Sequence, residues 1–136
     1  MKPTLAAVLF LASAASTPAA SEPALINGQY DGIIFSNGAK QGSTKFSLTA
    51  SNKIIGAYIF GSPDARETGK LSRCKLKDTM MSCRWSDAYG IGTLNVKFSN
   101  NFCSFEGVWY AKGDRNNTNR HNPWVGKRNN CSGLSS

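Results

Sequence analysis

The stretch that decides the fold is Gly90–Arg128, which reads GIGTLNVKFSN, NFCSFEGVWYAKG, DRNNTNRHN and PWVGKR. The first two segments alternate apolar and polar residues, the signature of half-buried strands. A Ser99-Asn100-Asn101 turn joins them. A third candidate strand, Trp124 to Arg128, follows a long basic loop. Gly107-Val108-Trp109 and Trp124-Val125-Gly126 each set a glycine two residues from a tryptophan, one step along the same strand face.

Outward from this stretch, the same plan recurs. Ile26 to Phe35 is a candidate first strand, and Gly38 and Gly42 punctuate the loop after it. Lys45 to Thr49 alternates around Phe46 and Leu48. Ser51-Asn52-Lys53 turns into a more apolar strand, Ile54 to Phe60, closed by Gly61-Ser62-Pro63-Asp64. Gly69 to Leu76 and Met80 to Trp85 form a hairpin, and Asp87-Ala88-Tyr89-Gly90 turns into the decisive stretch. Gly28-x-Tyr30, Gly56-x-Tyr58 and Gly107-x-Trp109 repeat a glycine and an aromatic on one face, with smaller versions in Gly69-x-Leu71 and Gly92-x-Leu94. A glycine leaves bare backbone that a neighbouring ring covers, and it lets a sheet bend enough to close. The expectation is an all-β domain: one antiparallel meander of about seven or eight short strands, in a closed or nearly closed barrel. A small β-sandwich is the alternative.

Residues 1–20 read as a signal peptide. Lys2 precedes the apolar run Leu5–Ala12, and small residues follow to Ala20. The run is too short to span a bilayer as a helix, and no later run suffices for a transmembrane segment. Residues 21–136 would then form a single domain in the periplasm or outside the cell. The four cysteines, Cys74, Cys83, Cys103 and Cys131, fit two disulfides in an exported chain. A hairpin turning at Asp78-Thr79 sets Cys74 opposite Cys83. That leaves Cys103 with Cys131, a link worth about 3 kcal/mol in the chain-entropy model. The spacings match no zinc ribbon or finger, and no cofactor motif is present.

Gly28-x-Tyr30 near the start, Gly107-x-Trp109, and Trp124-x-Gly126-x-Arg128 at the end resemble small secreted meander barrels of the avidin and lipocalin (calycin) type. The resemblance implies a barrel whose base holds an aromatic of the first strand beside a basic residue of the last, here Tyr30 and Arg128. The chain carries Tyr30 where the lipocalin pattern has tryptophan. No ligand-contact motif comes with the resemblance.

Sixteen Lys and Arg face eight Asp and Glu, a net charge of +8. Loss of a leader would remove only Lys2 among them, leaving +7. The excess is spread over Lys70, Arg73, Lys75, Lys77 and Arg84, then Lys112, Arg115, Arg120, Lys127 and Arg128. Such a surface attracts an acidic protein or an anionic envelope surface, with nucleic acid less favoured. The loop Ala111–Pro123 is the candidate binding element, with Tyr110, Arg115, Arg120, His121 and Trp124 as candidate contacts. Asn116-Asn117-Thr118 fits a glycosylation sequon. The leading expectation is a non-enzymatic binding domain, with a small-ligand carrier as the alternative. A secreted ribonuclease-like enzyme would instead use Glu106 as base, His121 as acid and Arg115 or Arg120 as phosphate clamp.

Overall fold

Alternation of side chains along each strand puts one face of the sheet on a common core, and the sheet closes on itself. The structure, a computed structural model, describes residues 25–114 and 122–131. The expected leader, the sequon, and Arg115, Arg120 and His121 lie outside the described residues. The strands are β1 (Gly28–Phe35), β2 (Ala39–Leu48), β3 (Ile54–Ser62), β4 (Ala65–Lys77), β5 (Met80–Asp87), β6 (Gly90–Phe98), β7 (Ser104–Ala111) and β8 (Pro123–Arg128). They form an eight-stranded antiparallel meander closed by β1–β8 pairing, so the architecture is the barrel and not the sandwich.

The lumen is filled by side chains. Tyr30, Phe46, Tyr58, Trp85, Phe98, Phe105 and Trp124 all point inward and are buried. Rings of this size fit because a glycine lies across the strand from most of them. Tyr58 pairs with Gly69, Trp85 with Gly92, Phe46 with Gly28 and Gly56, Phe60 with Gly42, Phe105 with Gly126, and Trp124 with Gly107. A methyl added at Gly126 would sit 2.8 Å from both Phe105 Cε2 and Tyr30 Cβ, and one at Gly69 would meet the Tyr58 ring. The pairing of glycine and aromatic is therefore a packing device, although Tyr58, Trp85 and Phe105 each cover the glycine of a neighbouring strand and not one of their own. Gly42 belongs to this set. It lies inside β2, opposite Phe60, and not in a loop, because the glycine there makes room for Ile34 and does not mark a turn.

One end of the barrel is sealed. Tyr30 lies edge-on to Phe46, Phe98 and Phe105 at centroid distances of 5.9, 5.7 and 5.3 Å. Its hydroxyl donates to the Phe102 carbonyl at 2.9 Å. Ile26, which precedes β1 and does not belong to it as the sequence suggests, is fully buried beneath this cluster. The Arg128 guanidinium sits 4.9 Å above the Tyr30 ring and donates to the carbonyls of Leu25 and, at 2.8 Å, Asn27. The expected pairing of Tyr30 with the basic residue of the last strand is thus in place. Phe102 adopts φ 58°, a conformation that bulky residues avoid. Burial of its ring against Phe98, at 5.1 Å, and the bond from Tyr30 hold it there.

Both disulfides match the expected pairs. Cys74 and Cys83 stand with Cα atoms 4.0 Å apart, each four residues from the turn at Asp78-Thr79. Cys103–Cys131 ties the segment after β8 to the start of β7, with Cα atoms 5.8 Å apart. The sequence does not announce the bulge between Ser72 and Lys75, where Arg73 takes φ 51°. The extra residue shifts the register of β4, so that Cys74 and Leu71 both face inward.

Gly126→Ala should cost about 1–3 kcal/mol by overpacking, read as a lower urea midpoint. Phe105→Leu in the same chain should recover part of that loss, since it removes the Phe105 ring atoms that the new methyl meets while the Tyr30 Cβ contact stays. Tyr30→Phe should cost about 1–3 kcal/mol, because the buried Phe102 carbonyl loses its donor.

Candidate functional site

The sequence-derived candidates divide between the two faces of the wall. Tyr110 projects outward from β7, half-buried, opposite Thr93 of β6. Trp124 projects inward from β8 and is 2% exposed, its indole N–H donating to Thr44 Oγ1 at 2.9 Å. The two therefore do not meet on one surface. Glu106 is exposed on the outer face, opposite Lys97 of β6 and Val125 of β8.

Tyr110 belongs to a basic outer flank formed by β4 to β7. Antiparallel pairing aligns outward residues in rows across the strands. One row runs Arg84, Thr93, Tyr110, with Arg73 in the adjacent bulge. The next runs Lys75, Ser82, Asn95, Val108, and a third runs Lys77, Met80, Lys97, Glu106. Lys70 and Lys112 extend the patch at its edges. Among the described outward residues of these four strands, Glu106 is the one acid. The outer face of β1 to β3 is more neutral, with Asp31, Gln41, Ser43, Lys45, Ala57 and Ile59. Two shallow grooves cross the basic flank and share Ser82 and Asn95.

The second feature is the unsealed end of the barrel. In a meander, alternate turns fall at the same end. The turns after β1, β3 and β5 and the connection after β7 all do so here. β3, β5, β7 and β8 each carry a large ring near that end: Phe60, Trp85, Trp109 and Trp124. Together with Tyr58, Asp87 and Tyr89 they line a cup of about 40 Å³. Small-molecule sites usually offer about 300–1,000 Å³, so the lumen has no room for a ligand of ordinary drug size. Trp85 meets Trp109 edge-on at 5.3 Å and Tyr58 meets Trp124 edge-on at 4.7 Å between centroids, whereas Tyr58 and Phe60 stack at 6.1 Å. Sequence reasoning passed over this cluster. Its signal was the recurrence of aromatic residues just before alternate turns.

Tyr58 donates to Asp87 Oδ2 at 2.7 Å, and the Tyr89 backbone N–H donates to Asp87 Oδ1 at 2.8 Å. Burial, and the bond and negative charge of Asp87, push the Tyr58 phenol far above the ordinary tyrosine range. Burial also raises Tyr30, against the lowering influence of Arg128. Among the described residues no cluster of His, Cys, Asp and Glu is placed to hold a metal ion, and no helix is long and apolar enough to cross a membrane.

The fold and the two faces define a small, disulfide-linked, eight-stranded meander barrel with one sealed and one open end. Comparison of the chain with family models, with curated proteins and with solved structures gives no significant match.

Because both raised phenols keep their protons longer in the folded chain, the unfolded chain loses protons first. Their contribution to stability is complete below about pH 10 and is lost as pH rises above it. The melting temperature should therefore fall between pH 9 and pH 11, and Tyr58→Phe should make that fall shallower while lowering stability at neutral pH.

Proposed function

We propose that the protein is an exported, non-enzymatic binding domain of the calycin-like barrel type that engages an acidic protein through the outer flank of β4 to β7. The observation that carries this reading is the alignment of Arg73, Lys75, Lys77, Arg84 and Lys97 in adjacent rows around Tyr110, with Glu106 as the one acid among the described outward residues there. Cations spread evenly over a barrel would serve solubility alone. Concentrated on one flank, they focus attraction on one approach direction and raise the rate of encounter with an anionic partner. Arg84 and Tyr110 flank the same groove, which suits carboxylate recognition by a guanidinium beside an aromatic ring. Two disulfides accord with the oxidising compartments into which proteins are exported.

Binding to poly-L-glutamate, followed by calorimetry at rising salt, tests the reading. Affinity should fall steeply with ionic strength. Combined Lys75→Glu, Arg84→Glu and Lys97→Glu should weaken it at least about tenfold, whereas Lys45→Glu with Lys53→Glu on the other flank should change it little. Equal losses from the two sets would remove the flank from the mechanism. An oligonucleotide that binds more tightly than polyglutamate at the same ionic strength would make nucleic acid the partner instead.

A further inference from the structure

We propose that the cup at the open end of the barrel is a binding site for a primary alkylammonium group, independent of the basic flank. The hydrogen-bonding inventory of the cup selects this chemistry. Every indole N–H of its three tryptophans is already committed: Trp85 to the Tyr110 carbonyl at 3.1 Å, Trp109 to the Phe35 carbonyl at 2.8 Å, and Trp124 to Thr44. Both tyrosine protons are committed to carboxylates, Tyr58 to Asp87 and Tyr89 to Glu67 Oε1 at 3.0 Å. Apart from the Ser36 hydroxyl, the side chains around the cup therefore offer acceptors and ring faces and no free donor. An anion finds nothing there to bind it. A group that brings its own donors and a positive charge finds a carboxylate with unused lone pairs on both oxygens.

The rings act in the same direction. Aromatic side chains line the cup, and an aromatic ring attracts a cation placed over its face. Free volume limits the guest. About 40 Å³ accommodates a few water-sized groups on the scale where one water needs about 10–15 Å³. An ammonium head with the methylene next to it matches this, and a quaternary ammonium or a guanidinium is too large. Charge at the rim agrees, since Asp87 lines the cup and Tyr89 ties Glu67 to it. Lys40 lies at the same end of β2 but does not line the cup. The positive flank lies on the outer surface of the wall, and opposing fields there decay over about 8 Å at physiological salt. Tyr89 is 69% exposed and bonded to both carboxylates, which makes it the side chain a guest would meet first.

The guest has two natural sources, a free small amine or a lysine side chain of another protein. Proton–nitrogen NMR of the three indole N–H groups, with n-butylammonium and Nα-acetyl-lysine methylamide as probes, separates them. Both probes should shift the Trp85 and Trp109 signals if the source is a protein lysine. Butylammonium alone should do so if the cup admits only a free amine. Asp87→Asn, which keeps an acceptor for Tyr58 but loses the charge, should weaken butylammonium binding at least about tenfold. Glu67→Gln should weaken it less and serves if the first variant fails to fold. Lys97→Gln on the basic flank should leave it unchanged. The proposal is overturned if butyrate or 1-butanol shifts the same signals as strongly as butylammonium. It is equally overturned if no indole shift appears at about 50 mM probe, or if folded Asp87→Asn binds as tightly as the parent. Loss of polyglutamate binding in the flank variants with intact amine binding would separate the two sites.

Discussion

The structure depends on an exchange of volume across neighbouring strands. A barrel of eight short strands encloses little space, and this one fills it with aromatic rings. A ring of that size packs most closely against an adjacent strand that carries no side chain opposite it. The glycines opposite Tyr58, Trp85, Phe105 and Trp124 satisfy this condition. They also let the wall curve tightly, so packing and closure come from the same residues. The core is in this sense specified in pairs, one residue of each pair chosen for its bulk and the other for its absence.

The two ends use that packed lumen differently. At the sealed end, Tyr30 and Arg128 bring the first and last strands together over Ile26 and Phe102, and the carbonyls of Leu25, Asn27 and Phe102 each receive a donor. At the other end the rings leave a small cup lined by Asp87, with the exposed Tyr89 bonded to Glu67 beside it. The outer wall is separate again, with cations on one flank. Among the described residues, the cup carries the Asp87 carboxylate and the β4 to β7 flank carries cations, in a chain whose overall balance is strongly basic.

Strands and disulfides were legible because each rests on local pattern. Alternation set the faces, and the symmetry of Cys74 and Cys83 about Asp78-Thr79 set the first link. The Tyr30–Arg128 contact was legible through resemblance, because it joins residues nearly a hundred positions apart. Gly42 reads as a loop residue in the sequence, since glycine in a turn and glycine beneath a neighbouring side chain look alike there. The bulge at Arg73 was invisible for a related reason: a one-residue register shift leaves no mark on composition. The cup needed knowledge of which turns share an end, which follows only after the strand count and closure are fixed. Trp124 was placed with the basic loop by proximity in sequence, whereas strand parity sends it into the lumen.

Since β8 pairs with β1, the ring cannot close until the final strand is available. The other seven pairings join consecutive strands and can zip together hairpin by hairpin as the chain emerges. Through all of that time, the outer rims of β1 and β7 remain unpaired backbone, competent to recruit another molecule. The late link between Cys103 and Cys131 then holds the last strand in register and retires both edges together. Oxidation in this chain is thus placed to act as a latch on assembly, fastening the step that is slowest to arrive and most exposed to error.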